Sequence, residues 1–367
     1  MTVRDIFIAY GPSYLNEFGP RIPRHHRKVI QAITHCRTPS LGTILCRCES
    51  CGQTIELFRS CGNRHCPACQ GEKAHIWLER RLERLVPVPH FMITFTVPAP
   101  FRTLFRQHQR FAYAAFFAAT SGIMKKPASE QTWFPGDVPG FFGVLHTWGR
   151  QLQYHPHIRY VVPGGAFSSD DHSRHPCRKA FYLPVRVAAK LVKHRMYTAL
   201  KRNGLLSSVD AAAWSQDWNV NSQPAGSGER SIRYLASYVF RTAVSDSRIV
   251  AIEDNHILFR YTDSATGAEK LLRLQACEFI RRFLQHVLPS GFMKIRCYGF
   301  LHPSSSIPVA LAILLLEARA GIPSRMRTKC VPPASSQNRR CCICDGAISY
   351  LFISPVKHAG IPPSGFT

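Results

Sequence analysis

Apolar residues recur along this chain in two rhythms, and the switches between them lay out its elements. From Glu72 onward Leu78, Leu82 and Leu85 return at helical spacing until Val86-Pro87 stops them, which predicts a helix. Residues 91–97 are rich in β-branched and aromatic side chains and end at Pro98, as a strand does. Phe101, Leu104, Phe105, His108, Phe111 and Ala115 resume the helical rhythm, a stripe read as core. A turn-rich segment at 135–140 leads into two strands, 141–148 and 157–162, and Pro163-Gly-Gly165 closes the second. Helices at 184–203 and 230–240, strands at 256–261 and 270–275, a basic amphipathic helix at 277–288 and a strand at 291–300 complete the pattern. Pro303, Pro308, Pro332 and Pro333 break up the C-terminal part, and the last residues, with Pro355, Pro362 and Pro363, read as a disordered tail. Strands and helices alternate without a phosphate-loop motif, so the expected class is α+β. Three parts are expected: residues 1–86, 87–302, and an extension over 303–367.

Charge narrows the partner. Lys and Arg number 47 against 22 Asp and Glu, a formal +25 with a pI near 9.9. Such an excess suits a polyanion, although a solvated basic surface without a dedicated partner gives the same count. The N-terminus shows no apolar signal region and the longest aliphatic run, 309–316, is too short to span a bilayer. The fourteen cysteines are therefore expected in a reducing, cytoplasmic setting, with no membrane partner.

Cysteine spacing carries the first chemistry. Cys48-Glu-Ser-Cys51 and Cys66-Pro-Ala-Cys69 are two knuckles fourteen residues apart. Each CxxC turn brings two thiolates together, so the pair predicts one closed, structural Zn²⁺ site. Cys36, Cys46, Cys61 and His65 are left over; three of them can hold part of a second zinc, or one can replace a primary ligand. In Tyr154-His-Pro-His-Ile-Arg-Tyr160 a strand would place His155 and His157 on one face, able to hold a divalent metal, although such a pair is more often structural. In Tyr234-Leu-Ala-Ser-Tyr238 a helix would place two phenols side by side; helix packing is the plainer reading. Arg241 follows, and Arg281 and Arg282 edge the amphipathic helix, where they either meet phosphates or are simply solvated.

Taken together and in order, these segments resemble a bacterial insertion-sequence transposase family that works by a rolling-circle route with a two-tyrosine HUH nuclease domain. The resemblance rests on Cys36-Arg-Thr with Leu41-Gly42, the knuckles within 48–70, Pro89 to Pro98, Leu145-His-Thr-Trp-Gly149, His155 to Gly165, Tyr234 to Ser245, 279–292 and Tyr298-Gly-Phe-Leu301. It covers about residues 20–302. It implies a zinc-binding, DNA-recognition region at 1–86, and an HUH-like domain at 87–302 built on a central antiparallel sheet flanked by helices. It further implies single-stranded DNA and element-end DNA as partners at the nucleoid, and Mg²⁺ or Mn²⁺ held by His155 and His157. Tyr234 and Tyr238 would be the nucleophiles, attacking a phosphodiester to leave a 5′-phosphotyrosine and a free 3′-hydroxyl.

One position departs from the pattern. The second histidine of the HUH motif falls on Arg159, whose guanidinium has no lone pair for a metal. The expectation is a retained fold and DNA-binding role with impaired cleavage. Two alternatives stand beside it: a decayed, zinc-containing DNA-binding protein, and a metal-dependent hydrolase using His155 and His157 with an activated water. Cys341 and Cys344 form one further CxxC without an evident partner.

Overall fold

The computed structural model describes residues 1–129, 136–177, 181–239, 243–263, 265–319 and 340–353, with the side chains of 72, 127–129 and 236–239 excluded. Helix α1 (Val3–Phe18) begins at Thr2, whose hydroxyl accepts the N–H of Asp5 while the Asp5 carboxylate accepts that of Thr2. With α2 (Arg24–Thr34) it turns Ile6, Phe7, Ile30 and Ile33 inward. Strands β1 (Thr43–Cys48) and β2 (Thr54–Phe58) form a hairpin, and α3 (Gly71–Glu83) follows.

The central sheet starts with β3 (His90–Thr96). The expected apolar helical stripe follows as two helices, α4 (Arg102–Gln107) and α5 (Gln109–Ser129), because His108 leaves helical geometry at φ −117° and ψ 43°. Next come β4 (Val138–Trp148), β5 (Tyr154–Pro163), β6 (Gly165–Phe167), β7 (Arg174–Pro176), α6 (Val185–Arg202), β8 (Asn219–Pro224) and α7 (Glu229–Val239). The sheet runs β7-β6-β4-β5-β3-β8, antiparallel throughout, with β12 (Ile295–Gly299) beside β4. Between them β9 (Ile249–Glu253), β10 (His256–Thr262) and β11 (Glu269–Gln275) make a separate antiparallel sheet that leads into α8 (Ala276–Leu284).

Strand alternation gives the central sheet two different faces. Phe91, Ile93, Phe95, Ile158, Tyr160 and Val162 point to one side and pack with α5 and α6. Phe142, Val144 and Val161 point to the other and meet Ile232 and Leu235 of α7, with Leu78 and Leu82 of α3 against them. This second face carries the candidate chemistry.

The helices at the N-terminus share their core with the later segment: Phe7 meets Phe283 edge-on at 5.2 Å, and Val29 and Ile33 lie with Ile257, Phe259 and Phe279. Residue 86 is thus not a packing boundary. The C-terminal extension also differs from expectation. Helix α9 (Val309–Arg319) packs Ile313 and Leu316 against Val86, Val88, Phe167 and Phe300, because its aliphatic run is a surface to be buried rather than a Pro-broken loop. Strand β13 (Ile348–Ile353) pairs antiparallel with β1. The strand expected at 291–300 shortens to β12, and the helix at 277–288 to α8. The expected disordered tail lies outside the described residues. No helix among the described residues is long and apolar enough to cross a membrane.

Candidate active site and metal centres

His155, His157 and Arg159 follow one another on one face of β5, and the register sets His146 of β4 directly opposite His157. The two imidazoles stand 5.2 Å apart between centroids. His157 Nδ1 lies 2.8 Å from the His155 carbonyl. A carbonyl only accepts, so the proton is on Nδ1 and the Nε2 lone pair is left for a ligand. Burial, reinforced by the Arg159 charge, brings the His157 pKa down to about 3 and keeps the ring neutral. Burial also holds His146 well below the usual range, with His157 and Arg159 adding to it.

His155 is in a different state. Its Nδ1 accepts from Arg102 Nη2 at 2.7 Å, which places the proton of the neutral ring on Nε2. Burial, then Arg102, lowers its pKa. The Nδ1 lone pair of His155 is thus engaged by Arg102, while His155 still lines the same cleft as His157. His157 lies between two other imidazoles, with His146 at 5.2 Å and His155 at 5.4 Å between centroids. Among the described residues only cysteines form a group of three or more ligand atoms close enough for one ion. Imidazoles next to a permanent guanidinium make a poor donor set for Mg²⁺ or Mn²⁺, which favour oxygen ligands.

Helix α7 presents Tyr234 to this face. Its start is fixed by Gly228 at φ +80°, where a Cβ would come within 2.6 Å of the His90 ring. Ile232 and Leu235 are buried and hold the helix on the sheet, while Tyr234 stays 39% exposed. Arg159 Nη1 donates to the Tyr234 hydroxyl, and the guanidinium sits 5.0 Å from the ring centroid. Both line an open cleft of about 930 Å³ together with Thr94, Thr96, His146, His157 and Arg260. Tyr238 lies one turn further along α7, with its side chain outside the described residues; Arg241 lies outside them altogether.

Arg281 and Arg282 share one carboxylate, with Nε of each 2.5 Å and 2.7 Å from Glu278. Arg281 first, then Arg282, brings the Glu278 carboxyl down to about 2. One of the two charges is therefore neutralised locally. Arg281 also borders a second basic cleft of about 710 Å³, together with Arg21, Arg106 and Arg110.

The cysteines regroup relative to expectation. Cys36, Cys61, Cys66 and Cys69 form one cluster, and Cys48, Cys51, Cys341 and Cys344 another; within each, the four sulfurs lie within 4.8 Å of one another. The expected set Cys48, Cys51, Cys66 and Cys69 is split, because Cys48 ends strand β1 and pairs there with Ile348, at the start of the C-terminal strand. Sulfurs at the corners of a tetrahedron around zinc stand about 3.8 Å apart, given a Zn–S bond of about 2.3 Å. The closest pairs here measure 3.4 Å for Cys36–Cys69, 3.6 Å for Cys61–Cys69, 3.5 Å for Cys48–Cys344 and 3.7 Å for Cys51–Cys341, so the thiols fit zinc. His65 joins neither cluster: its Nε2 receives Arg64 Nε at 3.3 Å and the Leu288 N–H at 3.4 Å. Cys46 is buried on β1 outside both groups.

Sequence reasoning missed His146, Arg102 and the recruitment of Cys341 and Cys344. The first sits in the Leu145-His-Thr-Trp-Gly149 block and the last two in a knuckle spacing, so both had a local signal. Arg102 had none.

Two family models match the chain. A zinc-binding domain of transposases, described as "Transposase zinc-binding domain", matches residues 6–97, and a "Putative transposase" model matches 140–307. A "Putative transposase y4qJ" of Sinorhizobium fredii is 36% identical over 319 residues, covering 82% of this chain and 80% of the relative. A "Transposase for insertion sequence element IS801" of Pseudomonas savastanoi pv. phaseolicola is 27% identical over 284 residues, covering 72% and 68%. No solved structure matches.

Proposed function

The chain belongs to the IS91-type insertion-sequence transposases with an N-terminal zinc-binding region, and we propose that it cuts and rejoins single-stranded element-end DNA through Tyr234. The observation that carries this reading is the exposed Tyr234 hydroxyl held by Arg159 at the mouth of a basic cleft. The Tyr234 oxygen forms a bond to the scissile phosphorus and its proton leaves to solvent. The bond from phosphorus to the 3′ oxygen breaks, and that oxygen takes up a proton as the 3′-hydroxyl. The phosphodiester energy stays in the 5′-phosphotyrosine, so the same hydroxyl, or another, reverses the step without a cofactor such as ATP.

Arg159 is the chain-specific part. A guanidinium pairs with phosphate in two-point geometry and brings positive charge to oxygens that gain negative charge during attack. It occupies the position of a metal-binding histidine in the motif. With Arg159 in that position, the proposed attack relies on its guanidinium for charge stabilisation in place of Mg²⁺ or Mn²⁺. This chain is expected to cleave more slowly than a relative with both histidines. Tyr238 is the candidate for a second, alternating nucleophile. The free thiols and the zinc clusters suit the cytoplasm.

The test is a covalent adduct between the protein and a single-stranded oligonucleotide from the element end. It should form in EDTA and vanish when Tyr234 and Tyr238 are both replaced by Phe. An adduct that survives the double replacement removes these residues from the chemistry. Arg159 favours one second reading, a DNA-binding protein that no longer cuts. It predicts salt-sensitive binding, no adduct from the native chain, and an Mn²⁺-dependent adduct once Arg159→His is made.

A further inference from the structure

We propose that this chain holds a second structural zinc ion between its two ends, on Cys48 and Cys51 from the β1–β2 hairpin and Cys341 and Cys344 from residues 340–353, and that the ion clasps the C-terminal strand in place. Cys341 and Cys344 lie beyond residue 307, where the matched transposase segments end.

The two knuckles are built alike. Cys48 receives backbone N–H groups from Ser50 and Cys51, and Cys341 receives them from Ile343 and Cys344. Cys51 takes the N–H of Gln53, and Cys344 that of Gly346. In each turn the residue after the second cysteine returns its N–H to the first cysteine's carbonyl, Gly52 to Cys48 at 3.0 Å and Asp345 to Cys341 at 2.9 Å. That residue is left-handed both times, φ +73° at Gly52 and +56° at Asp345. Asp is far less at home there than glycine, so the geometry is imposed by the turn. Facing one another, the knuckles bring Cys48 to 3.5 Å from Cys344 and Cys51 to 3.7 Å from Cys341.

Packing alone does not hold the strand. Leu351, Phe352 and Ile353 remain exposed, at 53%, 59% and 56%, so β13 buries little. Bringing Cys344 to Cys48 closes a loop between residues 296 positions apart, which costs chain entropy. Binding free energy from four thiolates is the available source to offset it.

Two measurements test this on the full chain. Native mass spectrometry should count two zinc ions per chain and one in Cys341→Ser/Cys344→Ser. Adding Cys48→Ser/Cys51→Ser should leave the count at one, because both pairs serve one ion. Two ions remaining in the first variant, or none in the combined one, overturns the proposal. The second measurement needs no variant. Cys342 and Cys344 are both exposed. A maleimide should label Cys342 quickly and Cys344 only after a zinc chelator is added. Equal labelling before chelation overturns it.

Discussion

Arg159 and Tyr234 form one unit: the guanidinium donates to the phenol oxygen and lies over the ring, 5.0 Å from its centroid. The two residues lie 75 positions apart in the chain, joined because Ile232 and Leu235 seat α7 on the sheet face that carries Arg159. Under the proposed mechanism, the residue that spoils a metal motif is the one that positions the attacking phenol.

Replacing Arg159 therefore has two separable outcomes. Arg159→Ala should slow adduct formation by roughly 100-fold or more, the scale seen when one donor to a developing oxyanion is removed. Arg159→His should make the reaction depend on Mn²⁺. Adduct kinetics with Mn²⁺ and with EDTA measure both. An Arg159→Ala rate equal to native removes Arg159 from the step.

Gly228 sets where α7 begins, so Gly228→Val should disturb both stability and chemistry. A left-handed β-branched residue, crowded against His90, should cost about 1–3 kcal/mol. The thermal midpoint and the adduct yield should fall together. An unchanged midpoint would show that the loop absorbs the side chain.

Acid should unfold the protein early. Burial pushes His157 and His286 down to about 3 and His90 to about 4, all below the unfolded value. Between those values and pH ~6.5 the unfolded chain binds more protons than the folded one, so stability present above pH ~6.5 is lost as pH falls. At pH 5 each such histidine costs about 2 kcal/mol. The unfolding midpoint should drop by roughly 10 °C between pH 7 and pH 5. A flat profile over that range would contradict the burial of these rings in neutral form.

Binding in the 930 Å³ cleft should follow counterion release. Affinity for a single strand should fall with salt at a log–log slope of about −0.7 per phosphate neutralised. Arg159 lines the cleft, so Arg159→Ala should reduce the slope by about that amount. An unaltered slope places the strand elsewhere, the arginine-lined cleft near Arg106 being the obvious candidate.

Local pattern made much of this fold legible. Residues 91–97 and 141–148 announced strands because β-branched and aromatic side chains fill both faces of a covered sheet, and α6 and α7 followed from helical spacing. Helix α1 was missed because it carries Gly11 and Pro12 within it and its apolar stripe is weak. His155 and His157 did share a face, yet which nitrogen of His155 is engaged depends on Arg102, 53 residues away. The cysteine grouping failed for the same physical reason: CxxC spacing fixes two ligands of a site and is silent on which other turn faces them.

The three-stranded arrangement of Ile348–Ile353 beside Thr43–Cys48 has a temporal consequence during synthesis. The hairpin at residues 43–58 leaves the ribosome early, but its neighbouring strand emerges about 290 residues later. Until then β1 has an unpaired edge, the kind of template that recruits foreign strands. The nascent chain thus carries its aggregation hazard near the front and its remedy near the back.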